Sequence, residues 1–279
     1  TEMYRVSKVL NNNGVIAIDM DENKEYVILG KGVGFGKKVS QRFDKPEGCT
    51  TYRLEQETER GSAKELVKGI EPEYLEIADA ILTESQKVFG DSIDRGILFP
   101  LADHISFAVA RIRRNEQISN PLTEDIKVLF YSEFKVAETL KTILRERLQI
   151  ESDDHEVGYV ALHIHSAIGD EKVSVAMQTA RAVRECIDMI EKATGKPIDV
   201  LSLSYNRLMN HMKYMVARAS TGEKLNLDMN EYMLDQYPQA YKVATDICKN
   251  LEGCIGHKLD ETETGYLAMH IQRVYKDAV

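Results

Sequence analysis

Short apolar runs separated by turn residues dominate the segment from Thr1 to Glu57. The runs are rich in β-branched and aromatic residues, and Asn, Asp, Gly and Lys fill the gaps between them. This pattern is typical of strands joined by tight turns and predicts a small antiparallel meander. So short a sheet buries little area alone, so we expect it to pair with a second copy. The predicted strands are Tyr4–Leu10, Val15–Ile18, Glu25–Leu29 and Thr50–Leu54.

From about Arg60 onward, apolar residues recur every three or four positions, which is the spacing of amphipathic helices. The clearest stripe runs from Leu75 to Ser85. No apolar run reaches the roughly 18 residues of a membrane helix, and the first residues lack the apolar core of a signal peptide. We therefore expect a cytoplasmic protein without membrane insertion. Further helical stretches are predicted at Glu124–Ile150, Val173–Lys192 and Glu231–Leu251.

The helical part contains an internal repeat, in which Asp103 aligns with Asn210 and the same offset holds throughout. Three blocks of sequence match in this one register, so we predict two tandem helical domains. The period is far longer than that of solenoid repeats. The matching blocks are Asp103–Arg111 with Asn210–Arg218, Lys135–Ala137 with Lys242–Ala244, and Glu156–Ile164 with Glu263–Ile271.

The fold class that follows is a multidomain α+β protein, a small antiparallel sheet followed by two all-α bundles. The linker includes Thr58–Ser62, and the boundary between the helical domains is expected near Asp170 to Val173. The predicted divisions are 1–57 for the sheet domain, 58–66 for the linker, 67–171 for the first helical domain and 172–279 for the second.

Charge is distributed unevenly between these parts. The chain has 36 Lys and Arg against 45 Asp and Glu, a net charge of −9, yet the segment from Thr1 to Glu57 holds nine of each kind. The excess of acid therefore lies in the helical part. A nucleic-acid site, if the chain has one, is expected in the predicted sheet domain.

Four of the seven histidines occupy equivalent places in the repeat, so that each copy carries two histidines at the same separation in the sequence. Such a pair can share a function only if the fold brings the two rings together. The alternative is that these residues are core or capping groups that were duplicated with their blocks. The four are His104 and His163 in the first copy, and His211 and His270 in the second.

Imidazole chemistry offers three functional roles: metal ligand, acid–base catalyst or phosphoryl acceptor. No third ligand recurs at a metal-binding spacing, so we expect no metal and no cofactor. No Ser or Cys nucleophile motif accompanies the histidines, which disfavours an enzyme. A phosphoryl acceptor needs only an accessible nitrogen and groups that hold the ring. Asp103 and Arg111 are candidates for this support, and Asn210 replaces Asp103 in the second copy.

Two clusters in the first segment suggest contacts with nucleic acid. One runs from Lys8 to Asn13 and the other from Gly30 to Lys38. If the second is extended, its alternating glycines leave one face bare, and Lys31, Val33, Phe35 and Lys37 share the other. Phe35 then offers a stacking surface, the lysines offer contacts to phosphates, and the asparagines offer contacts to base edges. The alternative is an ordinary turn followed by a flexible glycine loop.

Together these features resemble the BglG/SacY family of transcriptional antiterminators. The resemblance rests on the Asn run, the Gly30–Lys38 segment and the repeated histidine blocks. It implies a dimeric RNA-binding sheet domain that grips an RNA hairpin, followed by two PTS regulation domains. The family's phosphorylated histidines map onto His104, His163, His211 and His270. RNA contacts are implied for Asn11, Asn13, Gly30, Lys31 and Phe35, with Lys8 assisting.

The resemblance also implies partners and a mode of control. The expected phosphoryl donors are the HPr protein and a sugar-specific enzyme II of the phosphotransferase system. The protein is then an antiterminator of a sugar-utilisation operon, active as a homodimer, and not an enzyme. The alternative from another class is a phosphocarrier that binds no RNA. DNA-binding activators with the same regulation domains usually begin with a helix-turn-helix, which the predicted strands disfavour.

Overall fold

The structure is a computed structural model that describes residues 2–169 and 171–277. Asp170, at the predicted boundary between the helical domains, lies outside the described residues. The chain divides into two compact units by its internal contacts. Unit 1 comprises Thr1–Asn120 and Ser132–Val173, and unit 2 comprises Pro121–Tyr131 and Ser174–Val279.

Unit 1 begins with an antiparallel sheet of strand order β4-β1-β2-β3-β5. In this register Val6 faces Ala17 across β1 and β2, and Val27 faces Tyr52 across β3 and β5. The sequence pattern predicted four of these strands and missed β4, which has only three residues. The strands are β1 (Met3–Asn11), β2 (Gly14–Asp19), β3 (Glu25–Leu29), β4 (Arg42–Asp44) and β5 (Thr50–Arg53).

One face of the sheet carries an apolar core. Its members alternate along β1 and β2, as the two-residue period of a strand requires. The opposite face contacts the helices of unit 1, where the ring of Tyr52 meets that of Phe99 edge-on at 6.3 Å between centroids. The core consists of Tyr4, Val6, Val15, Ala17, Ile28, Val33 and Phe43.

The predicted linker contains a short hairpin of β6 (Glu57–Thr58) and β7 (Gly61–Ser62). Ser62 caps the helix that follows, because its hydroxyl accepts a hydrogen bond from the backbone N–H of Glu65. The helices of unit 1 are α1 (Ala63–Gly69), α2 (Pro72–Phe89), α3 (Leu98–Arg113), α5 (Tyr131–Ala137), α6 (Thr139–Leu148) and α7 (Asp154–Gly169).

Unit 2 is helical and includes one helix from the first sequence repeat. That helix is α4, whose Asp125 accepts a hydrogen bond of 3.3 Å from the hydroxyl of Tyr205. Ser202 caps α9, and Gly222 ends it with φ of 74°, a conformation that glycine adopts without strain. The helices of unit 2 are α4 (Thr123–Leu129), α8 (Val173–Thr194), α9 (Leu203–Thr221), α10 (Asn230–Gln236), α11 (Pro238–Ile255) and α12 (Thr262–Asp277).

Two of the predicted helices are interrupted at equivalent places of the repeat. The first break follows α4 at Phe130, and the second follows α10 at Tyr237, which aligns with Phe130 in the register of the repeat. Pro238 explains the second break, because the residue before a proline is driven out of helical geometry. No proline follows Phe130, so the first break had no comparable signal in the sequence.

None of the helices in the described part of the chain combines the length and the apolar composition needed to span a membrane.

Candidate functional site

The two histidines of the first repeat lie side by side in unit 1. Helix α3 contributes His104 and helix α7 contributes His163, and their ring centroids are 5.4 Å apart. Tyr159, one turn before His163 on α7, lies 5.4 Å from the His104 ring. The expectation that the two histidines of a repeat meet in space is therefore confirmed for this copy.

A buried carboxylate supports the His104 ring. The Glu156 Oε2 atom lies 3.3 Å from Nε2 of His104, and its Oε1 atom accepts a hydrogen bond of 3.0 Å from Arg111. Burial acts to raise the pKa of Glu156, but contacts with His104 and Arg111 outweigh it and hold that pKa below its ordinary value. Arg111 and His104 therefore both lie against the carboxylate of Glu156.

The second repeat builds the same arrangement in unit 2. His211 on α9 and His270 on α12 stack with their ring centroids 4.6 Å apart and their planes inclined by 22°. Tyr266 takes the place that Tyr159 has in the first copy, with its ring 5.0 Å from that of His211. The pair is thus closer and more nearly parallel than in unit 1.

Glu263 is the equivalent carboxylate of the second site. It accepts hydrogen bonds of 2.6 and 2.9 Å from Nε and Nη2 of Arg218, and it is only 1% exposed. Its Oε2 atom lies 3.9 Å from Nε2 of His211. Both glutamates and both arginines fall in the repeated sequence blocks, in the same register as the histidines. The repeat therefore held the signal for these partners, although the sequence interpretation did not assign the glutamates a role.

Burial keeps three of the paired histidines uncharged near neutral pH. It lowers the pKa of His163 well below 6.5, and lowers those of His211 and His270 to about 3 and about 4. The positive charges of neighbouring groups add to this effect. A neutral imidazole has a nitrogen lone pair, which a nucleophile or phosphoryl acceptor requires.

The ring nitrogens that face the interior are shielded from solvent. Nε2 of His104, Nε2 of His211 and Nδ1 of His270 are buried atoms. A phosphoryl group on Nε2 of His104 would meet the Glu156 carboxylate at 3.3 Å. Modification at that atom therefore requires the site to open, since two anions cannot share so small a buried space.

The residue before the first histidine of each pair differs between the copies. Asp103 accepts a hydrogen bond of 2.6 Å from Arg60, in the turn between β6 and β7. Asn210 is exposed and uncharged at the equivalent place. The Asp103 carboxylate, which was expected to support the histidine ring, is thus paired with Arg60 of the linker hairpin. Unit 1 connects its histidine site to the linker by this ion pair.

A third histidine of α7 has a different environment. His165 bridges two carboxylates, with Nδ1 2.9 Å from Glu133 and Nε2 2.8 Å from Glu171. Burial acts to lower the pKa of His165, but the two carboxylates outweigh it and raise that pKa to about 9. This histidine is therefore held as a cation between two anions.

At the other end of unit 1, the Asn turn and the glycine segment form one structure. Asn13 O accepts a hydrogen bond of 2.9 Å from the N–H of Gly30, and Asn13 Oδ1 accepts one of 2.9 Å from the N–H of Gly32. A Cβ atom on Gly34 would clash with the carbonyl oxygen of Asn11, at 2.0 Å, so only glycine fits there. The two sequence clusters are thus brought together.

The glycine segment is not extended, so the shared face considered for Lys31, Val33, Phe35 and Lys37 does not form. Residues 31–36 form successive turns, with positive φ at Gly32 and Gly36. Val33 is consequently buried in the sheet core, while Phe35 is 73% exposed. Alternate side chains therefore do not share a face, because the turns direct them to opposite sides.

Three of the predicted RNA-contacting residues present exposed side chains. Lys31 and Phe35 lie on the glycine turns, and Lys8 lies on β1 before the Asn turn. Lys37 packs over the ring of Phe43 at 5.2 Å from its centroid. An exposed aromatic ring can stack on an unpaired base, and exposed lysines can contact phosphates.

Comparison with known families assigns all three segments. Residues 4–61 match the family described as CAT RNA binding domain. Residues 79–167 and 184–274 match the family described as PRD domain. The two PRD matches contain the two histidine pairs, and the RNA-binding match contains the sheet with its Asn turn.

Known proteins and one solved structure are similar to this chain along most of their own length. The GlcA/glcB genes antiterminator of Staphylococcus carnosus strain TM300 is 30% identical over 96% of this chain and 94% of its own. The transcription antiterminator LicT of Bacillus subtilis strain 168 is 27% identical over 98% of this chain and 100% of its own. A crystal structure of GlcT CAT-PRDI covers 60% of this chain and 99% of its own, with a TM-score of 0.52 and 29% identity.

Proposed function

This chain belongs to the BglG family of transcription antiterminators, and from that membership we propose that its sheet domain binds an RNA hairpin under the control of the two histidine pairs. The family assigns an RNA partner and regulation by the phosphotransferase system. The finer proposal is that Lys8, Asn11, Asn13, Gly30, Lys31 and Phe35 contact the RNA. The proposed phosphorylation sites are His104, His163, His211 and His270.

The observation that carries the regulatory part is the duplicated His–Glu–Arg arrangement. Each unit holds two histidine rings about 5 Å apart beside a buried Glu–Arg pair. A phosphoryl group adds about two negative charges at such a site. A carboxylate oxygen lies 3.3 Å from Nε2 of His104 and 3.9 Å from Nε2 of His211, so a phosphoryl group on either atom favours an opened arrangement of the helices. We propose that this opening is the regulatory event.

The chemistry at each histidine is a simple group transfer. The lone pair of a neutral ring nitrogen attacks phosphorus, a new N–P bond forms, and the bond to the donor breaks with its electron pair left on the donor. We propose HPr and a sugar-specific enzyme II as donors. The protein accepts the group and does not turn over a substrate, so we assign it no enzymatic activity.

The assembly we propose is a homodimer in the cytoplasm, where a nascent bacterial transcript is accessible. The small sheet supports this, because five strands with one apolar core gain stability by pairing with a copy. In a symmetric dimer each phosphoryl charge appears twice. The match of residues 4–61 to an RNA-binding family disfavours the alternative of a phosphocarrier without RNA.

The test is to map phosphorylated residues after incubation with enzyme I, HPr, phosphoenolpyruvate and a membrane fraction that contains enzyme II. Mass spectrometry at alkaline pH preserves phosphohistidine and locates it. The proposal expects phosphate on the four paired histidines. His257, which is exposed and outside the pairs, is the internal control. Phosphate on His257 and none on the pairs would contradict the proposal.

A further inference from the structure

A single carboxylate holds both asparagines of the proposed RNA surface. Glu76 on α2 accepts a hydrogen bond of 2.9 Å from Nδ2 of Asn11 on one oxygen, and one of 2.9 Å from Nδ2 of Asn13 on the other. The contacts join residues 65 and 63 positions apart in the sequence. The side chain of Glu76 is only 16% exposed, so it is covered where it meets the turn.

The remaining polar atoms of the two asparagines explain why this contact matters. Asn11 Oδ1 accepts a hydrogen bond of 2.8 Å from the N–H of Asn13, and Asn13 Oδ1 accepts one from the N–H of Gly32. The amide oxygens thus shape the turn, and the Nδ2 groups are the donors that reach Glu76. Glu76 occupies these donors with an anion that offers two oxygens, as a phosphate group does.

A second contact on the same face of α2 holds Glu76 in place. Asp79 follows one turn later and accepts hydrogen bonds from the hydroxyl of Tyr52 on β5 and, at 2.9 Å, from Arg95. Arg95 also donates to the Tyr52 hydroxyl at 2.9 Å. Residues three apart on a helix share a face, so both carboxylates are presented to the sheet domain together. The fold therefore holds Glu76 beside the turn, where it binds the asparagines as an intramolecular ligand.

We propose that Glu76 is an intramolecular competitor of RNA, and that the structure is the closed form in which helix α2 blocks the asparagine pair. This inference rests on the proposed function of the sheet domain. RNA and Glu76 cannot use the same donors, so an RNA group must displace the Glu76 carboxylate, which also lies 3.9 Å from Nη1 of Arg147. Binding therefore requires α2 to withdraw Glu76 from the turn.

The effect on affinity follows from the population of the open form. The apparent dissociation constant rises by the factor by which the binding-competent form is depleted. A closed form favoured tenfold over the open form thus weakens RNA binding about tenfold. Glu76→Ala removes both acceptors, so the closed form is no longer favoured. RNA binding by the full chain should then become about tenfold tighter.

The experiment uses the full chain and a hairpin RNA selected from a randomised-loop pool with the Glu76→Ala variant. Fluorescence anisotropy then gives the affinity of the parent and the variants for this hairpin. Glu73→Ala is the matched control, because it removes the same charge from α2 one turn earlier. Glu76→Gln retains one acceptor without the charge and should give a smaller gain. Thermal melts verify that each variant is folded.

The expected result is a gain of about tenfold for Glu76→Ala, with Glu73→Ala within twofold of the parent. An unchanged or weaker affinity for Glu76→Ala, with binding still lost in Asn11→Ala, overturns the competition and leaves the RNA surface standing. If all three variants Glu76→Ala, Asn11→Ala and Asn13→Ala bind the hairpin with the parental affinity, both the competition and the proposed RNA surface are overturned.

Discussion

His211 and His270 stack with their ring centroids 4.6 Å apart and their planes inclined by only 22°. Two neutral imidazoles tolerate this arrangement, whereas two imidazolium ions repel each other at that distance. Burial holds both rings neutral. A negative phosphoryl group on either ring changes the charge of a site that the protein has built for uncharged rings.

The first prediction concerns the carboxylate beneath this pair. Glu263→Gln leaves Arg218, whose side chain is 15% exposed, without its bidentate carboxylate partner. Breaking a buried ion pair by neutralising one member costs about 3 kcal/mol of unfolding free energy. Urea denaturation followed by circular dichroism measures this loss. The exposed Glu261→Gln is the control, and equal stabilities for the two variants would show that the Arg218 pair is unimportant.

The second prediction is a loss of stability in mild acid. The pKa of His211 is lowered to about 3 in the folded chain, so below about pH 6.5 the unfolded state binds a proton that the folded state does not. The unfolding free energy therefore decreases by up to about 1.4 kcal/mol for each unit by which the pH is lowered, as the contribution of this residue.

The measurement is the unfolding free energy at pH 6.5 and at pH 5.5, a range in which most carboxylates remain charged. His211→Gln should lose about 1 kcal/mol less than the parent over this interval. His257→Gln alters an exposed histidine and should keep the parental dependence. Identical slopes in the parent and His211→Gln would contradict the burial of a neutral His211.

The third prediction has the opposite sign. The pKa of His165 is raised to about 9 by Glu133 and Glu171, so its contribution is fully present below about pH 6.5 and is lost as the pH rises through 9. The loss amounts to at most about 3 kcal/mol, at about 1.36 kcal/mol per unit. Unfolding measured between pH 6.5 and 9.5 should show this decline in the parent and not in His165→Gln. Glu171→Gln should show an intermediate decline.

The fourth prediction separates binding from folding at the RNA surface. Phe35 is 73% exposed, so Phe35→Ala should leave the melting temperature within about 1 °C of the parent. Loss of a stacked base costs about 1–3 kcal/mol, which weakens RNA binding about 10- to 100-fold. Val39→Ala removes a 65% exposed apolar side chain from the same region and should bind as the parent does. Equal affinities for both variants would remove Phe35 from the interface.

The sequence predicted most of the sheet and the close approach of the paired histidines. Runs of β-branched and aromatic residues between turn residues sufficed to predict β1, β2, β3 and β5. The repeat preserved two histidines in each copy, and the requirement that a pair with a shared function meets in space predicted the approach of His104 and His163. It could not give the stacking angle, which depends on how α9 packs against α12.

The sequence pattern could not predict contacts between segments that are distant in the chain. Glu76 is one of many acidic residues on a helical surface, and no local feature marks it as the partner of Asn11 and Asn13. The sequence left open whether the glycine segment is extended or forms turns, because alternate glycines suit both. Hydrogen bonds from Gly30 and Gly32 to Asn13 decide in favour of turns.

Phosphorylation of the paired histidines is proposed to control RNA binding. The most direct measurement is the affinity of the full chain for the selected hairpin before and after phosphorylation by HPr and enzyme II. A variant with alanine at His104, His163, His211 and His270 is the control. We expect an affinity change of at least about 10-fold in the parent and none in the variant. An unchanged affinity in a parent sample that carries phosphate on these histidines would contradict it.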